Sequence, residues 1–537
     1  MNLEPNNTKS KLRSLLYVGI AAVLATVLAD ILFIPKTIHY QRTNGGNTKI
    51  DEVQQLIETY YFDEVSTQKL TDDAIVAMLQ NLDPHSSYMN REETEQANSV
   101  MQGGFEGIGV QFNLLNDTLL VIAVTTGGPS EKAGIMAGDR ILRVDGENIA
   151  GVHIANADIL KKLRGKKNTK VHIEILRQGQ KDLIPFDIVR DKIAVNSISI
   201  AYEIAPKTGY ILLDNFSFTT KDEFNEALKN LIDRGITKLI LDLRGNPGGH
   251  LDAAISVCNQ LIARNKLLVY TYGKSVGKHN YYANSSGLFK QKEQKLVVLI
   301  DEYSASASEI VAGAVQDLDR GTIIGRRSFG KGLVQSQFFL SDSSEVLITI
   351  ARYYTPSGRC IQRPFELSKN DAYYMDIIDR YMHGEMENKD SIKFADSLKF
   401  STENGRTVYG GGGIMPDIFI PIRISDSLKY SNALMNNGII LNYAMDYVDK
   451  NRQKLNASYK NAEDFVKRFP VTETMMQEII QRGETAGIAP NVTAFTRREL
   501  RKWAKAFIGR NLFGERAFYP VLNQEDEAVK KAMEVLK

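Results

Sequence analysis

Three serines at alternate positions, Ser304, Ser306 and Ser308 in the run SASASEI, are followed downstream by a lysine set between two glycines, Lys331 in SFGKGLVQ. An alcohol is a weak nucleophile near neutral pH until a base removes its proton, so the chemistry depends on which base the chain can bring to it. Histidine is scarce: His39, His85, His153, His172, His250, His279 and His383 are the whole supply, and none lies in a GxSxG nucleophile turn. Lys331 is the better candidate. Its flanking Gly330 and Gly332 let backbone pack close and strip water from the ammonium group, which lowers its pKa toward the working range. A neutral amine can deprotonate a serine, a known variant of triad logic. Spacing does not choose among the three serines. The sequence Ser-Ala-Ser-Ala-Ser before the apolar run IVAGAV predicts a strand end turning into a helix, whose N-terminal amides can stabilise an oxyanion. One of these serines can instead be an ordinary helix cap, and Ser308 is assigned that part.

A second glycine-rich turn follows an apolar strand in LILDLRGNPGGHLDAA, with a helix predicted to begin near Leu251. Its glycines allow backbone N–H groups to approach a carbonyl closely. One rival motif is present: residues 325–331 spell G-x-x-x-x-G-K, the start of a phosphate-binding loop. The next position is Gly332 where such a loop needs Ser or Thr for magnesium. The following LVQSQFFL reads as a strand where a helix is required. Nucleotide chemistry is therefore set aside. Around these turns the elements alternate: GYILLDNF strand, KDEFNEALKNLIDRG helix, KLILDL strand, LDAAISVCNQLI helix, KLVVLID strand, SEIVAGAVQDL helix, then GTIIG and EVLITIARYYT strands. Such alternation predicts a layered α/β core with its site at the strand C-terminal ends.

The run YSASASEIVAGAVQDLDRGTIIGRRSFGKGLVQ resembles the signature of the carboxy-terminal processing peptidases, the tail-specific serine proteases. The resemblance implies that the middle serine, Ser306, is the nucleophile, Lys331 the base and Gln335 the lysine's orienting hydrogen-bond partner. It also implies an oxyanion hole made by the amides of Ala307 and of Gly248 or its neighbour Gly249. It further implies a crotonase-like α/β serine protease core. Upstream, GIGV at Gly107, Ile108, Gly109 and Val110 resembles the carboxylate-binding loop of PDZ domains. GGPSEKAGIMAGDRILRVDGENI resembles their middle and ANADILKKLRG their groove-lining helix, with Asn168 where glycine is frequent. A loop of exposed N–H groups can hold a terminal carboxylate while the peptide adds as a strand. Expected substrates are proteins or peptides with apolar C-termini. An adaptor protein and homo-oligomerisation are partners the reading leaves room for. The segment around Lys49 to Met89 has helical spacing and resembles the family's N-terminal helical cap. His85 in its LDPHSSYM end reads as a turn residue with a satisfied hydrogen bond, and is left structural.

The expected organisation is multidomain α/β. It comprises a membrane anchor or signal segment (1–36), a helical region (37–96), a PDZ domain (97–190), a protease core (191–424, with an insertion at 366–407 to which the sequence gives no role) and a helical C-terminal region (425–537). At 537 residues and 43% hydrophobic content the chain is long enough for several cores. A formal charge of +2 argues against a nucleic-acid surface. The two cysteines, Cys258 and Cys360, have no metal-type spacing and are expected to be free; no metal and no organic cofactor is expected. Lys9, Lys11 and Arg13 precede the uncharged run from Ser14 to Ala29, and with Asp30 near the outer end the apolar stretch through Ile34 is about long enough to span a bilayer. This places the body of the protein outside the cytoplasm, on the periplasmic side of the cell envelope, held by one N-terminal helix rather than released at Val27-Leu28-Ala29. The basic helix carrying Trp503 reads as a solvated amphipathic face. The competing class is a non-catalytic membrane-surface PDZ scaffold or chaperone that binds C-termini. A crotonase-like acyl-CoA enzyme fits neither the PDZ segment nor the dyad.

Overall fold

The computed structural model describes residues 49–537 apart from 116, 178, 285, 286, 292, 368, 369, 423 and 424. The expected membrane segment, residues 1–36, lies outside the described residues. Among the described residues no helix is long and apolar enough to cross a membrane. The chain divides into two compact units, one made of the described residues through 102 with 213–237 and 241–419, the other of 103–212, 238–240 and 420–537.

In the first unit, the end of the strand Lys238–Asp242 and the strands Lys295–Ile300, Thr322–Gly325 and Ile418–Phe419 lie side by side in that order. Ile300 pairs with Gly325 and Gly325 with Phe419, both in parallel register, so Ile418–Phe419 adds the last strand on that side of the sheet. Leu296 through Ile300 are buried throughout, as expected for parallel strands covered on both faces. The helices Thr220–Asp233, Leu251–Leu261 and Ala307–Asp317 fall where the apolar spacing predicts them. A second sheet, antiparallel, joins Glu345–Tyr354 to Ser87–Met89, to Leu267–Gly273 and to Leu333–Phe339, with Gly277–Tyr282 beyond Leu267–Gly273. The hairpin of Leu267–Gly273 and Gly277–Tyr282 is absent from the predicted elements, because its outer strand is exposed and polar. The predicted helical stretch ends earlier than Met89: helices at Lys49–Tyr60 and Thr67–Gln80 give way to Ser87–Met89 as a strand. The 366–407 insertion holds a helix, Asn370–Met382, and begins a two-stranded ladder of Lys399–Ser401 with Thr407–Tyr409.

In the second unit, a sheet in the order Val110–Leu115, Thr118–Val124, Arg140–Val144, Lys170–Leu176, Ile184–Val189 wraps a core of Leu119, Val121, Ile141, Ile173 and Ile175. It carries two helices rather than the single one expected, a short one at Pro129–Ala133 and the predicted Asn156–Leu163. Asn168 has φ of 69°, a left-handed turn position, which accounts for an asparagine where glycine is frequent. From Asp426 onward the chain forms helices packed on Leu434, Tyr443, Phe465, Met476 and Leu500. Trp503 is half-buried against Phe507 and Phe518, so its helix face is a packing face and not the solvated one expected.

The helix that follows SASAS is anchored at its far end by a fully buried ion pair, Asp317 to Arg359 at 2.7 Å. Arg359 also donates to Gln316 and to the Tyr409 carbonyl, and the other Asp317 oxygen accepts the Ser357 amide. Removing one member strands a buried charge. Asp317→Ala is expected to lower the unfolding free energy by about 3–5 kcal/mol, measured by urea titration.

Candidate active site

Three neighbouring strands each end, within the first unit, in one of the loops singled out by sequence: Lys238–Asp242 runs into RGNPGG, Lys295–Ile300 into DEYSASAS, and Thr322–Gly325 into RRSFGKG. Backbone and side-chain bonds tie the loops together. The Asn246 carbonyl accepts the Ala305 amide at 3.0 Å, and the Phe329 amide donates to the Ser304 carbonyl at 3.0 Å. Asn246 Nδ2 donates to the Leu213 carbonyl at 2.7 Å, which pins the glycine-rich turn from within.

This framework separates the three serines. Ser304 is buried, and its hydroxyl donates to the Leu243 carbonyl at 2.8 Å while accepting the Asp301 amide at 2.9 Å. Ser308 is buried and donates to the Asn246 carbonyl at 2.9 Å. Ser306 is partly exposed between buried neighbours, and its hydroxyl, in the capping-box position toward the Glu309 amide, donates to no carbonyl among the described residues. The cap assignment is corrected: Ser306, not Ser308, occupies the N-cap position of the helix Ala307–Asp317. Its backbone sits at φ 54°, ψ −113°, outside the ordinary regions for a residue with a side chain, a strain of about 1–3 kcal/mol of the kind found at functional positions.

Lys331 is fully buried, and its Nζ has no hydrogen-bond partner among the described residues. Burial lowers its pKa from 10.5 to about 7, against the opposing pull of the Asp83 and Glu309 carboxylates. The glycine after it is required by space, because a Cβ on Gly332 would stand 2.8 Å from the Gln362 amide nitrogen. Two side chains bind the serine and lysine segments to each other. The buried Glu309 carboxylate accepts the amides of Ser306 (2.8 Å), Gly330 (2.7 Å) and Lys331 (2.9 Å) and the Ser328 hydroxyl (2.5 Å). Burial raises its pKa to about 7 despite those donors. The buried Tyr353 hydroxyl lies within bonding distance of the Ser306 carbonyl (3.1 Å) and the Lys331 carbonyl, sharing one proton between them. Glu309 and Tyr353 are absent from the sequence-derived site. Glu309 had a readable signal, since Ser306-x-x-Glu309 is the capping-box spacing. Tyr353 had none, being one aromatic among several in a strand.

Gln335 is buried on the strand after the lysine, and its Nε2 donates to Thr349 Oγ1 at 3.0 Å. Gly248 lies beside the serine. A Cβ there would come within 2.8 Å of Ser306 Cβ and 2.9 Å of the Ala307 nitrogen, so only glycine fits. Its own amide, however, donates to Asn246 Oδ1 at 2.8 Å, whereas the amides of Ala307 and Gly249 have no acceptor among the described residues. In the second unit, Gly107 pairs with Asp191 and Val110 with Val124 as strand residues, which leaves Ile108 and Gly109 as the turn between them. Gly109 has φ of 75°, and Ile108 is buried. Among the described residues no cluster of side chains suits a metal ion.

A hydroxyl at a helix N-terminus and a buried amine are thus carried on segments tied to each other, and the chain is similar to known proteins. The model of peptidase family S41 matches residues 207–366, that of the PDZ domain residues 107–186, and that of the activating protease CtpB N-terminal domain residues 32–94. A family of unknown function, DUF8443, matches residues 430–514. The chain is 33% identical to the carboxy-terminal processing protease CtpA of Bacillus subtilis (strain 168) over 66% of its length and 76% of the relative's. This chain belongs to peptidase family S41. It is likewise 36% identical to the carboxy-terminal-processing protease of Bartonella bacilliformis, over 61% of this chain and 75% of that one. Among solved structures, a photosystem II D1 C-terminal processing protease matches at 26% identity and TM-score 0.36, over 69% of this chain and 86% of that chain. The protein is thus a multidomain α/β serine peptidase of the carboxy-terminal processing group, with a PDZ domain and a helical C-terminal region. The non-catalytic scaffold reading gives way to it.

The division of labour among the serines of this S41 peptidase is testable by stability alone. Ser304→Ala strips the Asp301 amide of its acceptor and is expected to cost about 1–3 kcal/mol in urea unfolding, and Ser308→Ala, after which the Asn246 carbonyl keeps the Ala305 amide, about 0.5–1.5 kcal/mol. Ser306→Gly relieves the positive φ at the cost of only a weak cap, so its melting temperature is expected to equal or exceed that of the parent.

Proposed function

We propose that this chain is an endopeptidase that uses a Ser306–Lys331 dyad to process or degrade exported proteins from or near their C-termini, with the PDZ segment receiving the apolar tail. The observation that carries the reading is the contrast among the polar groups at the three loop ends. Only Ser306 of the three serines keeps its hydroxyl proton uncommitted to a backbone carbonyl, and Glu309 and Tyr353 hold its backbone to the segment bearing a dehydrated, unpartnered lysine amine. Neutral Lys331 takes the proton from Ser306 Oγ as that oxygen attacks the scissile carbonyl, once side-chain rotation brings Nζ to Oγ. The tetrahedral oxyanion is received by the amides of Ala307 and Gly248. Gly248 serves by exchanging its bond to Asn246 Oδ1 for the oxyanion, and the adjacent Gly249 amide is the donor that needs no exchange. Lys331 then gives the proton to the departing amine as the C–N bond breaks. Water next attacks the acyl-enzyme, losing its proton to Lys331 and restoring the Ser306 hydroxyl.

In this reading residues 1–36 anchor the chain, 37–96 form a helical cap, 97–190 the PDZ domain, 191–424 a crotonase-like protease core and 425–537 a helical region. The carboxylate of the bound tail lies against the loop Gly107, Ile108, Gly109 and Val110. The body works outside the cytoplasm, on the periplasmic side of the envelope, since the basic N-terminal flank at Lys9, Lys11 and Arg13 orients the apolar run that way. An adaptor and self-association belong to the same proposal as partners.

Ser306→Ala and Lys331→Ala are each expected to abolish cleavage of an unstructured protein with an apolar C-terminus while melting as a folded chain; turnover in either purified variant contradicts the dyad. The base must be uncharged to act, so kcat/KM is expected to fall as the pH drops through about 7, where Lys331 gains its proton. A profile flat down to pH 5 excludes a lysine base.

A further inference from the structure

The segment Asp83-Pro84-His85, read from sequence as a plain turn, is buried against the strand pair that follows Lys331. Asp83 Oδ1 accepts the amides of His85 (2.9 Å) and Ser86 (3.2 Å) and the Thr349 hydroxyl (2.8 Å), and its Oδ2 accepts the Ser86 hydroxyl at 2.6 Å. Thr349 stands directly across the ladder from Gln335 and accepts Gln335 Nε2 at 3.0 Å. The direction of these bonds follows from proton counting. A carboxylate only accepts, so the single Thr349 proton must go to Asp83. Thr349 oxygen is then an acceptor toward Gln335, which must present its NH2 group to it. The Gln335 side-chain oxygen is left over, and no donor among the described residues engages it.

A second path runs from the other side of the lysine to the same segment. The Gly332 amide donates to Gln362 Oε1 at 2.8 Å, Gln362 Nε2 reaches the Tyr373 hydroxyl at 3.3 Å, and that hydroxyl lies 3.0 Å from His85 Nε2. Gln362 gives its NH2 to Tyr373, so the Tyr373 proton goes to His85, which is neutral and accepts at Nε2. Burial, with Lys331 and Arg363 nearby, holds His85 well below its ordinary pKa and keeps it in that form. Both paths donate outward, away from Lys331. The helix Asn370–Met382, which the sequence left without a role, supplies Tyr373.

We propose that Asp83 is a positioning residue for the proteolytic reaction: through Thr349 it sets the direction of a hydrogen-bond relay that leaves the side-chain oxygen of Gln335, rather than its NH2 group, as the acceptor when the Lys331 amine, unpartnered in the resting structure, turns toward it. The inference rests on the dyad reading and on Gln335 as the lysine's partner. An NH2 group turned toward the amine would compete for the lone pair the base needs. The side-chain oxygen, once the amine turns to it, accepts one of the amine's own hydrogens and leaves the lone pair for Ser306. The charged groups facing Lys331 are Asp83 from this turn and Glu309 from the helix after Ser306, and both favour its protonated form. His85 is neutral, and Arg363 faces the imidazole.

The test compares Asp83→Asn, Thr349→Val, Thr349→Ser and Lys331→Ala in the full chain, using cleavage of an unstructured protein with an apolar C-terminus and thermal melting. Asp83→Asn is expected to lower kcat about 10–100-fold with KM little changed. Because a negative neighbour is lost, its acid limb should move to lower pH by up to about one unit. Thr349→Val should lose kcat to the same degree with the limb in place, and Thr349→Ser, which keeps the hydroxyl, should restore it. If Asp83→Asn does not fold, the Thr349 pair decides: equal kcat in Val and Ser variants overturns the relay. Folded Asp83→Asn and Thr349→Val enzymes with parental kcat and acid limb, beside an inactive Lys331→Ala, overturn the relay alone. Turnover by Lys331→Ala overturns the dyad reading and the relay with it.

Discussion

Removing water from the Lys331 amine without giving it a hydrogen-bond partner is the constraint around which this protease core is arranged. An isolated lysine holds its proton to well above pH 10. Lowering that value to about 7 corresponds to roughly 5 kcal/mol of differential interaction, withheld from folding at neutral pH because the unfolded chain protonates the amine freely. A natural fold keeps such a group only if the rest of the structure holds it in place. Here the holding is visible as closed backbone contacts: Gly332 against Gln362, the Arg363 amide on the Gly330 carbonyl, and the Tyr353 amide on the Gly332 carbonyl.

The same economy explains why one carboxylate does several jobs. Glu309 cannot be a base for Ser306, since both its oxygens are spent on four donors. It instead fixes the amides on both sides of the site and keeps a negative charge near the amine, so that burial does not drive the lysine pKa below the useful range. Burial pushes Glu309 toward protonation near the same pH. The serine and lysine segments are therefore expected to loosen together as the solution becomes acidic.

How much of this was legible in the sequence depended on whether the signal was local. Alternating apolar runs and glycine turns gave the strand and helix positions, because periodicity records which face of each element is buried. Gly248 and Gly332 were legible as close-approach positions for the same reason. The choice among Ser304, Ser306 and Ser308 was not. Two of those hydroxyls are consumed by carbonyls of Leu243 and Asn246, which the chain brings back only on folding. Tyr353, Asp83 and Thr349 carried no local mark, since each acts through partners far away in sequence. Two expectations failed on side-chain detail: Ser308 as the cap, and Trp503 on a solvated face, where an amphipathic stripe proved to be packed.

The most direct test is the protonation state of one amine. With 13C-labelled lysine in Ser306→Ala protein, one Lys Cε resonance should titrate with a midpoint near pH 7 and be missing from the spectrum of Ser306→Ala/Lys331→Met. If every lysine resonance instead titrates above pH 9, the amine is an ordinary ammonium ion at working pH and cannot be the base.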